Sequence, residues 1–172
     1  MKRTFAAPWA TLLKVISLLS TLLLPAIVWL LPLPRDSAWI VRGTVRALPV
    51  ILLATCALFT VRGYAVADGC LKVRRLFWVT CIPLRTLTGA EWRRGPFGWA
   101  WRMFGNGGLY SITGWYHQKS LGTFRALATR FSDAVILTFS DRKPIVVTPD
   151  DPGGFVEAVN SECANLTRPP KP

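Results

Sequence analysis

Residues 15–31 run seventeen positions without a charge, and residues 47–61 run fifteen more after a short basic connector. Two such runs side by side constrain the chain more than any motif does. A helix of about 20 apolar residues matches a hydrocarbon core about 30 Å thick, and only helices or closed barrels satisfy their backbone groups inside lipid. Residues 1–62 therefore read as a short tail and a two-helix transmembrane hairpin.

The first span is expected at about residues 10–31, with Trp9 and Trp29 at interfacial positions and Lys14 near one end, where its stem reaches toward water. Pro32 and Pro34 stop it. A cleaved signal peptide fits less well. Lys2 and Arg3 supply a positive start, but no small-x-small cleavage site follows the apolar run. The second span, at about residues 45–61, is short: the fifteen residues between Arg46 and Arg62 make about 22 Å of helix. A start near Ser37 would lengthen it, set Arg42 and Arg46 on one face and kink the helix at Pro49. A shallow or re-entrant segment is the alternative. The N-terminal side offers Lys2, Arg3 and Lys14, and Arg62, Lys72, Arg74 and Arg75 follow the spans; the connector holds Arg35, Arg42 and Arg46 with Asp36. That bias puts both ends on the cytoplasmic side.

The chain carries a net charge of +12, and from Arg62 onward fifteen Lys and Arg against eight Asp and Glu leave +7. Such a surface attracts polyanions. For a tethered head the anionic leaflet is always within reach, so membrane lipids are preferred to nucleic acid as the partner. Cys56, Cys70, Cys81 and Cys163 form no C-x-x-C pair and His117 is the sole histidine, so neither a disulfide framework nor a metal site is expected. The cysteines read as buried thiols.

From Tyr64 the pattern turns from helical to extended. Asp68 and Gly69 form a two-residue hairpin signal between strands at 64–67 and 70–74, with Leu71 and Val73 inward and Lys72 and Arg74 outward. The phase slips at Arg75, which predicts a bulge or corner before a strand at 76–82. Further strands are expected at 84–92, 109–116, 121–130, 134–139 and 144–148, with loops at 93–98, 105–108 and 140–143. The glycines at 105, 107 and 108 read as a turn needing positive φ. Asp150 or Asp151 caps a closing helix with Pro152 in its first turn, and Phe155, Val159 and Cys163 give it one apolar stripe. About seven short strands and one terminal helix describe a small antiparallel barrel capped at one end, an α+β head over residues 63–166. Residues 167–172 read as a disordered tail.

In that order, Tyr64, Val66, Asp68, Gly69, Leu71 and Val73, then Ile82, Pro83 and Leu84, then Gly105 to Gly108, Leu121 and Gly122, and finally Val147 to Pro152 with Phe155 and Val156 resemble the bacterial pleckstrin-homology-like (PH) domains attached to membrane spans. The resemblance covers roughly residues 62–166. It implies a seven-stranded bent barrel plugged by a C-terminal helix. Together with the two apolar runs and the flanking charges, the expectation is a multi-pass protein of the bacterial cytoplasmic (inner) membrane with its C-terminal domain in the cytoplasm. The resemblance implies little mechanism, since such scaffolds serve lipid, peptide and self-association alike.

Catalytic patterns are lacking. Hydrolysis needs a nucleophile held against a base, whereas His117 stands beside Tyr116 and Lys119, and Glu91, Asp133, Asp141, Glu157 and Glu162 lie singly. There is no phosphate-binding or dinucleotide loop. Cofactors and small-molecule substrates are therefore not expected. Two groups of residues suggest binding. Lys72, Arg74 and Arg75 follow the first turn, where eukaryotic PH domains grip phosphoinositide phosphates. Arg93 and Arg94 stand with Trp99, Trp101 and Arg102, a mixture that suits membrane interfaces and protein hot spots. The expected function is a membrane-anchored, non-enzymatic binding module engaging a protein partner or another copy of itself; recognition of anionic lipid headgroups by the same basic and aromatic face is the alternative.

Overall fold

The computed structural model describes residues 3–34, 38–95, 98 and 100–167. Its elements follow in the order β1 (Arg3–Ala6), α1 (Thr11–Leu30), α2 (Trp39–Leu58), β2 (Gly63–Ala67), β3 (Cys70–Arg74), β4 (Val79–Pro83), β5 (Leu87–Arg93), β6 (Trp101–Leu109), β7 (Ser111–Gln118), β8 (Gly122–Ala128), β9 (Ala134–Phe139), β10 (Ile145–Val147) and α3 (Pro152–Thr167). The expected tail from 168 onward, like Trp99, lies outside the described residues.

Both long helices have 20 residues, enough apolar length to cross a membrane, and only 11% of each apolar window is buried. They are not core helices of the sheet domain. The second begins at Trp39, the longer of the two lengths its sequence allows, with Pro49 inside it. At the end away from the sheets, the Arg46 guanidinium lies 4.9 Å from the Trp29 ring centroid and ties the helices together.

The strands form two sheets, one ordered β1-β2-β3-β4 and one ordered β5-β9-β10-β8-β7-β6. This corrects the expectation of a single seven-stranded antiparallel barrel. Ten strands are present among the described residues, and β10 runs parallel to β8. After β8 the chain skips one strand position to make β9, and β10 then returns antiparallel to β9 into the gap. Period-two alternation identifies strands but not their neighbours, so this insertion left no mark in the sequence pattern.

Alternation does explain the burial. Along β8, β9 and β10, Leu127, Val135, Leu137, Phe139, Ile145 and Val147 face a core shared with the first sheet and α3. Their neighbours Phe124, Ala126, Ala128, Ala134, Ile136 and Val146 face a second core on the other side of the sheet, with Ile112 and Tyr116. These strands are covered on both faces. Helix α3 closes the first core with Phe155, Ala158 and Val159, and Cys163 packs at its margin. Its N-cap is Asp151, whose Oδ1 accepts the Gly154 N–H at 3.0 Å.

The hairpin at Asp68 and Gly69 forms as expected, both residues having positive φ (56° and 67°). The corner at Arg75 is also present, its N–H bonded to Trp78 O at 2.9 Å. It extends through Trp78, so β4 starts three residues later than expected. Residues 105–108 do not form the expected turn. They lie inside β6, whose Gly105 (φ 115°) and its partner Gly114 (φ 145°) let the two backbones approach too closely for a Cβ. The turn falls at Tyr110 (φ 62°), and it reaches α1: Tyr110 N–H donates to Ser17 Oγ at 2.8 Å, and its hydroxyl lies 2.6 Å from Thr21 Oγ1.

Strand β1 had no sequence signal. It pairs antiparallel with β2 from Arg3 opposite Val66 to Ala6 opposite Gly63. Ala7 is buried in the main core, and Ala6 O accepts Asp150 N–H at 3.0 Å. The chain thus enters the sheet domain, leaves through both long helices and returns to the same sheet. Gly63 makes the pairing possible, since a Cβ there would stand 2.8 Å from Phe5 O. Gly63→Ala is expected to cost about 1–3 kcal/mol through the forced backbone shift. Thermal unfolding would measure the loss, and hydrogen exchange should show it concentrated in residues 3–6.

Candidate functional site

The seven described residues of the eight expected to bind do not converge on one patch. Lys72 points outward from β3 and pairs with Asp68, which occupies its ammonium. Arg74 is exposed on the same strand. Arg93, at the end of β5, is held by Glu91 at 3.1 Å, and Arg94 stacks 5.7 Å from the Trp92 ring centroid. Trp101 and Arg102 lie on β6, at the opposite edge of the six-stranded sheet from β5. Trp101, Met103 and Phe104 project from that edge, Trp101 and Phe104 with more than three quarters of their surface bare. The guanidinium of Arg102 folds over Gly107, where a Cβ would stand 2.5 Å from Nη1.

Arg75 differs from the other six described. It is 7% exposed, because the β3–β4 corner turns its side chain under the last turn of α2. Its Nη1 donates to Phe59 O at 2.6 Å and its Nε to Thr80 Oγ1 at 3.2 Å. A cation on the carbonyl end of a helix is favourably placed. The guanidinium also lies 5.6 Å from the Phe59 ring centroid.

Beside it opens a cleft of about 600 Å³ between the end of α2 and the face of β7 and β8 that carries Leu127. Thr55, Cys56 and Phe59 line it from the helix side, Phe104, Asn106, Thr113 and Trp115 from β6 and β7, and Arg75, Arg125 and Leu127 complete it. Arg125 comes from β8, opposite Trp115 on β7 and Ile145 on β10. Its N–H bonds Pro144 O at 2.8 Å, and its guanidinium has no ion pair among the described residues. Burial, followed by the field of Arg125, pulls the Arg75 pKa below the usual guanidinium range. Two cations in one half-apolar cleft without a carboxylate are an arrangement that favours an anion.

Sequence reasoning missed Arg125. One signal was available, since Phe124, Ala126 and Ala128 alternate with Thr123, Arg125 and Leu127, so Arg125 shares a face with a core leucine. The cysteines also need correction: Cys56, Cys70 and Cys163 are only partly covered and Cys81 is exposed, because β4 is a sheet edge. Among the described residues no cluster of His, Cys, Asp or Glu could hold a metal ion.

Two apolar helices carrying a two-sheet domain with a C-terminal capping helix and a basic cleft define a binding module of the PH type. The chain belongs to the bacterial PH domain family, whose profile matches residues 62–163. No curated protein and no solved structure matches it. PH domains are in general non-catalytic binding modules.

Proposed function

We propose that this is a multi-pass protein of the bacterial cytoplasmic membrane, a non-enzymatic module whose PH domain faces the cytoplasm and engages a protein partner or a second copy. Its parts are the hairpin within residues 1–62 and the head at 63–166, to which β1 adds a strand. The observation that carries the anchor is that β1 and β2 pair with each other while the two helices between them keep their apolar faces bare. A bare apolar surface of that extent needs lipid or protein against it. The β1–β2 pairing supports a hairpin whose two ends lie on one side of the bilayer. Trp101, Met103 and Phe104 on the unpaired edge of β6 support the partner reading, since aromatic edges accept an added strand or a second surface. Lys72, Arg74, Arg93, Arg94 and Arg102 would orient the head over anionic lipid. Recognition of lipid headgroups is the second reading, favoured by the cleft holding Arg75 and Arg125.

The test uses full-length protein in native membranes. It should stay with the membrane pellet in alkaline carbonate, and a photocrosslinker at position 101 or 104 should give a discrete protein adduct. Release into the supernatant would overturn the anchor. Adducts to lipid alone would overturn the protein partner.

A further inference from the structure

We propose that the cleft at the end of α2 holds one anionic phospholipid, its phosphate between the guanidiniums of Arg75 and Arg125 and its acyl chains along α2. The proposal rests on the membrane placement above and names the ligand of the cleft. Three features point to a lipid rather than a free anion. The cleft lies at the C-terminal end of an apolar helix long enough to cross a bilayer. Most of its lining around the two arginines is apolar, with Phe59, Phe104 and Leu127 better suited to acyl chains than to an inorganic ion. And its two cations are at different depths: Arg75 is nine-tenths buried, whereas Arg125 is half-covered and open to the cleft.

The charges match as well. A phosphodiester carries one negative charge and presents two non-bridging oxygens, which two guanidiniums bind through short charge-assisted hydrogen bonds. Arg75 uses Nη1 and Nε on Phe59 O and Thr80 Oγ1, and its Nη2 has no partner among the described residues. Arg125 has no side-chain partner among them. A buried guanidinium near a second one is unfavourable unless an anion joins them, and a membrane supplies that anion without a diffusional search. Lys72, the counterpart of the phosphate-gripping residues of eukaryotic PH domains, is already paired with Asp68.

Arg75 also caps α2, so its removal would confuse folding with binding; Arg125 is the residue to change. Full-length protein would be purified in neutral detergent, exposed to phosphatidylglycerol, phosphatidylcholine or inorganic phosphate, and examined by native mass spectrometry with thermal unfolding in parallel. Wild type should retain one phosphatidylglycerol per chain. Arg125→Gln should retain it about tenfold less or weaker, the expected loss of one charged hydrogen bond, with unchanged unfolding in the absence of lipid. Arg125→Lys should restore part of it. Equal phosphatidylglycerol retention by wild type and Arg125→Gln would overturn the site. Stabilisation by inorganic phosphate equal to that by phosphatidylglycerol would overturn the lipid. If Arg125→Gln abolished the protein crosslink and left lipid retention unchanged, the cleft would belong to a protein partner. Carbonate extraction separates these outcomes from failure of the anchor itself, because a protein that remains in the pellet yet shows no dependence on Arg125 refutes only the lipid site.

Discussion

Phe155→Ala is expected to destabilise the sheet domain by about 3–5 kcal/mol, the range for truncating a fully buried aromatic ring. Phe155 is 0% exposed and sits where three separate parts of the chain meet. Its ring stands edge-on to Phe5 at 5.2 Å and to Tyr64 at 6.0 Å. Strand β1, strand β2 and helix α3 therefore share one contact, and no neighbour is free to collapse into the space left. Phe155→Leu keeps most of the volume and should cost about 1.5 kcal/mol or less. Denaturant unfolding of the full chain in neutral detergent would measure both, with the α2 apolar face shielded by the micelle. A loss below about 1 kcal/mol for the alanine variant would mean that α3 does not close the core through this ring. The prediction also concerns the N-terminus, since loosening Phe155 should raise hydrogen exchange in β1 before β3.

The parts of this structure that the sequence announced are those fixed by local chemistry. Asp68 and Gly69 tolerate positive φ, so the first hairpin was legible together with its register. Phe155, Val159 and Cys163 recur every four residues, and Asp151 stands where a cap is needed, so α3 was legible to its first turn. What the sequence hid was decided at long range. The four residues of β1 are too few to show a period, and their partner lies beyond two apolar helices. The glycines of β6 mimic a turn because close approach between strands and reversal of the chain both call for the same residue. The candidate residues are spread apart for a related reason. Basic residues near one another in sequence went to different sheet edges, and Arg75 found its neighbour in Arg125, fifty positions along the chain. Charge composition marks a chain as basic, but only topology assembles its charges into a surface.

Tyr64→Phe should cost about 2–5 kcal/mol, although it removes a single oxygen. Tyr64 is wholly buried, and its hydroxyl donates to Leu127 O at 2.6 Å and accepts the Thr148 N–H at 3.2 Å. It bridges the first sheet to β8 and to the residue following β10. Phenylalanine would leave a buried carbonyl and a buried N–H unsatisfied, each worth about 1–3 kcal/mol. A pH dependence separates this from simple loss of packing. Burial is the first cause that pushes the Tyr64 hydroxyl up to about 12, opposed by the Thr148 bonds and by the fields of Arg130 and Arg75. In the unfolded chain a tyrosine ionises near pH 10, as an order-of-magnitude reference. The folded value is the higher one, so the stabilising contribution is complete below about pH 10 and is lost as pH rises toward 12, by about 1.4 kcal/mol per unit. Tyr116 is shifted in the same direction, but it is common to both proteins and cancels in their difference. The stability gap between wild type and Tyr64→Phe should therefore narrow by about 2–3 kcal/mol between pH 9 and pH 12. A gap that stays constant over that window would mean the hydroxyl ionises as readily folded as unfolded, and that the bridge between the sheets is not closed to water.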